Sequence, residues 1–364
     1  MRSALLLSVL LAVLGSCATV PNRSPQWRSQ VVLEVPGTKL LGCAIGDADP
    51  QHFGNEIAVA AGNGLVYVVR HQDDTWHHEV AAALRGEPIQ CAIGDVDRLH
   101  EGAEIVTVGM LRGDEDTGSG GAAMLLRRTD SGWEKVELLR TNALLHGVCI
   151  GDVDPTRVGI ELAVAGADGE VHLVWQSGVG WASKIIGEVP GTAKSMTLGL
   201  GGLLVACDDG SLVRFRLRPR GWVRDVLSTG SSALARVGAT FGMAIWCAND
   251  GALRLLREGY EEVVLRSTDR LRGAVLADLD PSRTGLEGAT AGYDGLISVI
   301  HGGPIAWERL SHHGGVAHVF EITVVAADSD RLHHLAAGPL PQRGTALVAC
   351  GYSGRVTCVW WAGE

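Results

Sequence analysis

The sequence repeats one unit along almost all of its length, and this repetition constrains the fold more than any other feature. The stretch from Gly151 to Trp181 contains one copy: an acidic turn, an apolar strand, an Asp-Gly turn, a second strand and a Gly-Trp pair. A unit this thin cannot bury both faces of its own sheet, so copies must stack on one another.

The first mark of the repeat is an acidic turn with the spacing D-x-D-x4-G-x-E. Its three acids occur four times, at Asp47, Asp49 and Glu56; Asp95, Asp97 and Glu104; Asp152, Asp154 and Glu161; and Asp278, Asp280 and Glu287. Two interpretations stay open. Three carboxylates, turn carbonyls and water could coordinate Ca²⁺, which takes six to eight oxygen ligands. Alternatively, the Asp caps the turn, the Gly takes a positive φ and the Glu contacts a neighbouring repeat.

The other two marks are a tight turn and an aromatic residue. Apolar strands are separated by Asn63-Gly64, Asp168-Gly169, Asp209-Gly210, Asp250-Gly251, Asp294-Gly295 and Ser353-Gly354. Such pairs predict type I′ hairpins, in which both central residues have positive φ. An aromatic residue opens a later strand of each copy, at Trp27, Trp76, Trp133, Trp181, Trp222, Tyr260 and Trp307.

These aromatic residues recur at intervals of roughly 38 to 57 residues, the length of one four-stranded blade. The sequence therefore predicts an all-β fold, a seven-bladed β-propeller over residues 27–364. The C-terminal "VTCVWWAGE" lacks an outer strand, whereas "QWRSQVVLEV" begins as an outer strand with no blade before it. We expect the N-terminal strand to complete the last blade and remove its free edge. "RLHHLAAGPLPQRG" is interpreted as a detour before the last blade resumes.

The N-terminus predicts export and lipid anchoring. Arg2 precedes an apolar run, Leu5 to Leu14, that is too short to span a bilayer as a helix. Leu14-Gly15-Ser16-Cys17 resembles the lipobox of bacterial lipoproteins, whose Cys is lipidated. We expect residues 1–17 to form a lipoprotein signal peptide with its lipobox Cys17, residues 18–26 a short linker, and the protein to be anchored to a bacterial membrane in the cell envelope. A plain secretory signal is the alternative.

Charge and cysteine content argue against other classes of protein. The formal net charge of −10 at pH 7 disfavours nucleic-acid binding, because phosphate neutralisation needs a basic face. The cysteines after Cys17 are odd in number and lie in apolar strand patterns, which predicts buried, reduced thiols. Nucleophile elbows, HExxH motifs and phosphate loops are absent from the sequence.

Two groups of residues are candidates for ligand binding. Arg214, Arg216 and Arg218 alternate along one strand and so share a face. They predict either a solvated, ion-paired edge or a patch for acidic glycans or lipid head groups. The other candidate is the central mouth of the propeller, where the segments that enter the innermost strands converge. It is predicted to receive Lys39, Glu87, Gln90, His146, Lys194, Arg236, Arg272 and His318.

The acidic turn before an apolar strand resembles the FG-GAP and VCBS repeats, whose blades carry calcium loops of the D-x-D-x-D-G-x-x-D kind. The resemblance extends over almost the whole mature chain and is clear in four blades. The fifth loop position is here Gln51, Leu99, Thr156 or Ser282, and the final acid is a Glu one residue later. WD repeats fit less well, because their Gly-His and Trp-Asp signatures are absent.

The resemblance implies Ca²⁺ in these loops and a monomeric binding or scaffold module for a protein or a glycan. The alternative function is a metal-assisted carbohydrate-active enzyme, similar to polysaccharide lyases with propeller folds. In that case His146 and His318 would converge in one deep pocket at the mouth.

Overall fold

The computed structural model describes residues 26–111, 120–302 and 320–363. Within these ranges the chain forms 28 β-strands, arranged in seven four-stranded sheets. None of the described residues is helical, so these ranges contain no helix that could span a membrane. The predicted seven-bladed, all-β architecture is confirmed.

Six blades are meanders of four consecutive strands. Blade 1 is β2 (Leu40–Gly46), β3 (Glu56–Ala61), β4 (Leu65–Gln72) and β5 (Thr75–Ala83). Blade 2 is β6 (Gly86–Gly94), β7 (Glu104–Leu111), β8 (Gly121–Thr129) and β9 (Gly132–Thr141). Blade 3 is β10 (Leu145–Gly151), β11 (Glu161–Gly166), β12 (Glu170–Ser177) and β13 (Gly180–Glu188).

The other half of the ring follows the same order. Blade 4 is β14 (Ala193–Gly199), β15 (Gly202–Cys207), β16 (Ser211–Arg218) and β17 (Gly221–Thr229). Blade 5 is β18 (Leu234–Ala239), β19 (Met243–Ala248), β20 (Ala252–Arg257) and β21 (Tyr260–Arg266). Blade 6 is β22 (Leu271–Ala277), β23 (Glu287–Gly292), β24 (Leu296–His301) and β25 (Glu321–Ala327). Blade 7 is β26 (Leu332–Leu340), β27 (Gly344–Gly351), β28 (Arg355–Trp361) and β1 (Trp27–Glu34).

The first and last parts of the described chain close the ring. Strand β1 pairs antiparallel with β28, with Trp27 opposite Trp361. The backbone N–H of Val35 donates to the carbonyl of Gly354 at 2.7 Å, next to this pairing. The predicted closure by the N-terminal strand is therefore confirmed. The repeated aromatic residues lie on the outermost strands, except Trp307, which is outside the described ranges.

The hydrophobic core lies between blades rather than within them. Each of seven buried clusters joins residues of two neighbouring blades. At the closure, for example, Leu33 packs in one cluster with Val59 of blade 1 and Val348 of blade 7. A blade buries both faces only when it has neighbours on both sides, which is why the ring must be complete.

Two predictions about blades 6 and 7 are wrong. The "RLHHLAAGPLPQRG" segment is not a detour, since it contains β26, the innermost strand of blade 7. His333, His334 and Pro339 interrupt the apolar pattern of β26 and hide the strand. His318 consequently precedes β25, the outermost strand of blade 6, and does not enter an innermost strand. His318 itself lies outside the described residues.

The predicted turn type between second and third strands is also wrong. Gly64 has φ 87°, but Asn63 is not among the residues with positive φ. The N–H of Gly64 donates to the carbonyl of Ala61 at 3.0 Å. The connection is thus a three-residue loop that ends in a glycine bulge. Both central residues have positive φ instead at the β4–β5 hairpin, with Asp73 at 51° and Asp74 at 60°.

Candidate functional site

The acidic turns join the innermost strand to the second strand in blades 1, 2, 3 and 6. In blade 2, Glu104 Oε2 accepts the backbone N–H groups of Val96 at 2.9 Å and Asp97 at 3.1 Å. Asp97 Oδ1 accepts the N–H of Leu99 at 3.1 Å. The other three turns repeat these bonds through Glu56 and Asp49, Glu161 and Asp154, and Glu287 and Asp280.

The second Asp of each turn is buried and lies close to a basic side chain. The pairs are Asp49 with Arg128 at 3.6 Å, Asp97 with Arg127 at 2.7 Å, Asp154 with Arg157 at 3.2 Å and Lys184 at 3.4 Å, and Asp280 with Arg283 at 3.2 Å. The first Asp, at positions 47, 95, 152 and 278, is exposed in every turn. The three acids of a turn therefore have different surroundings.

The glutamates of these turns are weak acids in the folded protein. Burial, reinforced by the neighbouring aspartates, raises the pKa of Glu56 and of Glu104 to about 7, although backbone N–H groups oppose the shift. The same causes raise the pKa of Glu161 and Glu287. Near neutral pH Glu56 and Glu104 are therefore partly protonated, which reduces the negative charge that they offer a cation.

This arrangement fits turn stabilisation better than a calcium loop. Within the described ranges, one group of three potential metal-ligand atoms from Asp, Glu, His or Cys side chains lies within 4.8 Å of one another. That group lies outside the acidic turns. The buried Asp and Glu oxygens already accept backbone N–H groups. An Arg or Lys side chain beside each buried Asp supplies the positive charge that a bound Ca²⁺ would otherwise supply. Calcium binding stays a hypothesis that the ligand geometry does not favour.

The arginines of β16 lie on one face of that strand, as predicted. Arg214 Nη2 and Arg216 Nη2 lie 3.2 and 2.5 Å from Asp225 Oδ2 on β17. Arg214 Nη1 also donates to the carbonyl of Leu200 at 2.8 Å. Phe215, on the opposite face, is buried, and Arg218 is exposed at the strand end. The contacts are those of an ion-paired strand face, with Arg218 as its exposed member, and β16 is not the edge of its blade because β17 pairs outside it.

The central mouth is built by a backbone irregularity that all blades share. The innermost strand of each blade has a β-bulge near its start, where the register against the second strand shifts. The bulged residues are Leu41, Ile89, His146, Lys194, Ala235, Arg272 and His333. Bulges re-aim side chains, and here basic side chains of blades 3, 4 and 6 come together with Arg236, which follows the bulge of blade 5.

We call His146, Lys194, Arg236 and Arg272 the basic mouth. His146 Nε2 lies 3.4 Å from Lys194 Nζ. Arg236 Nη1 donates to the carbonyls of Lys194 at 3.3 Å and Ala235 at 2.9 Å. The Nε atoms of Arg236 and Arg272 are buried and have no hydrogen-bond partner in the described structure. Two guanidinium groups thus retain donors that no described protein atom satisfies.

The charges of the basic mouth repel one another. Burial lowers the pKa of Lys194, and Arg272 and Arg236 lower it further, whereas Asp208 opposes the shift. Burial, with repulsion from Arg272, lowers the pKa of Arg236 to about 10. Burial beside Lys194 and Arg236 lowers the pKa of His146 to about 4, so its imidazole is neutral at pH 7.

Aromatic rings line one side of the mouth. The hydroxyls of Tyr293 and Tyr352 lie 3.1 Å apart. The Arg272 guanidinium lies 4.8 Å from the ring centre of Tyr293, and Lys39 Nζ lies 5.0 Å from that of Tyr352. His333 stacks on Tyr352 with 5.7 Å between ring centres. Cations and partly exposed aromatic faces therefore occur together here.

A cavity of ≈ 270 Å³ extends along the innermost strands from Arg236. Its polar lining includes Gln90, Ser195, Thr345 and His334. The Oε1 atom of Gln90 is buried and has no hydrogen-bond partner in the described structure. The cavity has room for a small molecule, and both Gln90 and Arg236 line it.

The predicted mouth residues are partly brought together. His146, Lys194, Arg236 and Arg272 form the basic mouth. Lys39 contacts Tyr352, and Gln90 lines the cavity. Glu87 is exposed, and its carboxylate lies beside Gly62. Sequence reasoning missed His333, Tyr293 and Tyr352. An alignment of the innermost strands would have found His333, because "LHGV", "LRGA" and "LHHL" place a basic residue after the first Leu.

Comparisons with known proteins agree with this architecture. No protein-family model matches the chain, and a search of curated proteins finds no match. Among solved structures, the chain is similar to the crystal structure of the WD40 β-propeller domain of Doa1, with a TM-score of 0.62 and 12% sequence identity over 91% of this chain and 96% of that one. At this identity the likeness shows the fold alone: the chain is a seven-bladed β-propeller.

Proposed function

We propose that this protein is a binding module that holds an acidic glycan by inserting one anionic sugar residue into the basic mouth. The observation that carries the proposal is the convergence of basic side chains at the mouth: Arg236 Nη1 donates to the Lys194 carbonyl at 3.3 Å, and Arg272 and Arg236 both repel the charge of Lys194, which Asp208 supports. Three cations in a partly buried funnel focus a positive potential on the space between them. A carboxylate or sulfate placed there would relieve the repulsion.

The guanidinium donors favour an oxyanion as the bound group. Arginine presents N–H groups in a planar fork that matches carboxylate and sulfate oxygens. The buried Nε atoms of Arg236 and Arg272 are without protein partners in the described structure, so an anion that enters the mouth would meet two guanidinium groups whose donors are not all used. Such charge-assisted bonds are roughly twice as strong as neutral ones.

The surroundings favour a sugar over an extended peptide. The cavity of ≈ 270 Å³, which shares Arg236 with the basic mouth, has room for one small ring rather than for a peptide segment. Partly exposed Tyr293 and Tyr352 offer ring faces and hydroxyls beside the cations. The described side chains that meet at the mouth are cations, tyrosines and the imidazoles of His146 and His333.

We further propose that the module acts at a membrane surface, tethered through Cys17. The lipobox-like Leu14-Gly15-Ser16-Cys17 supports this proposal. A linker of about nine residues reaches ~30 Å when fully extended, so the propeller would lie close to the bilayer. Labelling of cells with a radioactive or clickable palmitate tests the tether, since Cys17→Ser should abolish incorporation.

The glycan proposal is tested by calorimetry with oligogalacturonate, a sulfated oligosaccharide and a neutral oligosaccharide of equal length. Binding of an acidic oligomer that weakens as salt rises is expected. Arg272→Gln and Lys194→Gln should each reduce the affinity by about tenfold or more, whereas Arg218→Gln on the exposed end of β16 should not change it. An acidic peptide that binds while both acidic glycans fail, or equal affinity in Arg272→Gln, would overturn the proposal.

A further inference from the structure

The hairpin between β11 and β12 of blade 3 collects three side chains that can ligate a metal. One oxygen each of Asp168 and Glu170 and one ring nitrogen of His172 lie within 4.8 Å of one another. Asp168 precedes the turn glycine, and Glu170 and His172 alternate on the first part of β12, so both face the same side of the sheet.

His172 points to a missing partner within this group. It is only 8% exposed, and its Nε2 atom is buried with no hydrogen-bond partner among the described residues. Glu170 Oε2 is 3.4 Å away, at ion-pair distance. A buried imidazole nitrogen without a partner is costly unless something satisfies it.

The negative charge of the hairpin is also uncompensated. In the described structure, neither Asp168 nor Glu170 forms an ion pair with an Arg or Lys side chain. Across the β12–β13 pairing, Glu170 lies opposite Glu188. Like charges in directly opposite positions destabilise a sheet, which makes a bound cation favourable at this place.

Blade 5 supplies an internal comparison. Its hairpin has the same Asp-Gly turn, and Arg254 Nη2 lies 2.6 Å from Asp250 Oδ2. Residue i+4 therefore reaches the turn Asp in this hairpin geometry, and there it brings its own positive charge. In blade 3 the corresponding residue is His172, which brings a lone pair instead, and the intervening Glu170 adds a second carboxylate.

We infer that Asp168, Glu170 and His172 bind one divalent transition-metal ion, with zinc as the preferred class. One imidazole nitrogen and two carboxylate oxygens suit Zn²⁺, and water can complete a tetrahedral set. The imidazole ligand selects against Ca²⁺ and Mg²⁺, which prefer oxygen donors. The site is separate from the basic mouth and does not depend on the glycan proposal.

The test uses the untagged protein, stripped with a chelator and dialysed. Titration with Zn²⁺ by calorimetry should give one equivalent, and Co²⁺ should give the visible absorption of a low-coordinate N/O site. His172→Arg recreates the blade 5 arrangement, so it should remain folded and lose the binding. Asp168→Asn should weaken Zn²⁺ affinity by about tenfold or more. Asp209→Asn changes the same turn in blade 4, which lacks the acid and the histidine, and should leave binding unchanged.

Two results would overturn the inference: no Zn²⁺ or Co²⁺ binding by the stripped protein, or unchanged stoichiometry in His172→Arg. If His172→Arg fails to fold, Glu170→Gln is tested in its place. Undiminished Zn²⁺ affinity in that variant would also overturn the inference. A response to Ca²⁺ with none to Zn²⁺ also contradicts the inference, because imidazole ligation would then have no part in binding.

Discussion

Among single residues, Glu104 shows most clearly what the acidic turns do. Its Oε2 atom accepts two backbone N–H groups, while Oε1 is buried and lies 3.6 Å from His100 Nδ1. Burial and the nearby aspartates raise the pKa of Glu104 from 4.5 to about 7. The side chain therefore holds the turn through hydrogen bonds while its charge opposes burial.

This pKa predicts that the acidic turns destabilise the fold as pH rises. Between pH 4.5 and about 7 the folded state binds more protons at Glu104 than the unfolded state, so the free energy of unfolding decreases with rising pH. Glu104→Gln should remove about 1–2 kcal/mol of that decrease, the full shift being reduced for solvent screening. Urea unfolding at several pH values between 4 and 8 measures it. The exposed Glu87→Gln is the control, and an equal pH dependence in wild type and Glu104→Gln would contradict the assignment.

A second prediction concerns calcium at the same turns. Because Arg127 lies 2.7 Å from Asp97 and the glutamates are held by backbone N–H groups, added Ca²⁺ should leave the melting temperature unchanged at pH 8, above the pKa of Glu104. Thermal unfolding with Ca²⁺ or with Mg²⁺ at equal ionic strength measures this. A Ca²⁺-specific increase that Asp97→Asn abolishes would establish the calcium-loop interpretation instead.

The candidate site could be predicted from the sequence only in part. His146, Lys194 and Arg272 were found because they stand where apolar strands begin, and the bulges then bring them together. Tyr293 and Tyr352 were missed because they follow the ends of second strands, β23 and β27, at the same end of the ring. Their proximity depends on how neighbouring blades stack, and the sequence pattern of a single blade does not show that stacking.

Among structural elements, the hairpins were located correctly but given the wrong turn type. The pairing of Ala60 with Val66 leaves a longer loop than a two-residue turn. In that loop only Gly64 has positive φ. The Asx-Gly pattern identifies where a hairpin turns, but the loop length that decides the turn type depends on strand register.

Two glycines of blade 4, Gly210 between β15 and β16 and Gly201 between β14 and β15, separate the cost of a positive φ from that of a backbone contact. Gly210 has φ 92°, and a Cβ there would lie 2.3 Å from the carbonyl oxygen of Gly230. Gly201 has φ 71° and nothing within 4 Å of its Cβ position. Gly201→Ala should lose about 1–2 kcal/mol from the positive φ alone, and Gly210→Ala should lose about 1 kcal/mol or more beyond that. Denaturant unfolding of both variants measures the difference, and equal losses would show that the backbone contact is relieved without cost.

For the whole molecule, the seven-fold architecture was predictable because stacking and closure leave a repeated signature in the sequence. The aromatic residues of the outermost strands mark the blades, and the unmatched β1 and β28 mark the closure. Blade 7 was harder to interpret, since β26 carries two histidines and a proline. Its strand identity comes from pairing with β27 and not from its own pattern.

The closure predicts that a single buried side chain of β1 supports the entire ring. Leu33 is 3% exposed and packs with residues of blades 1 and 7, whereas Val31 on the same strand is 45% exposed. Leu33→Ala should lower the free energy of unfolding by about 2–5 kcal/mol, and Val31→Ala should change it by about 0.5 kcal/mol or less.

Because β1 covers the edge of β28, loosening β1 also presents an unpaired strand to other molecules. We therefore expect Leu33→Ala, but not Val31→Ala, to aggregate in a concentration-dependent way, as followed by light scattering during denaturant unfolding. Equal stability and solubility of the two variants would mean that the remaining blades hold together without the closing strand.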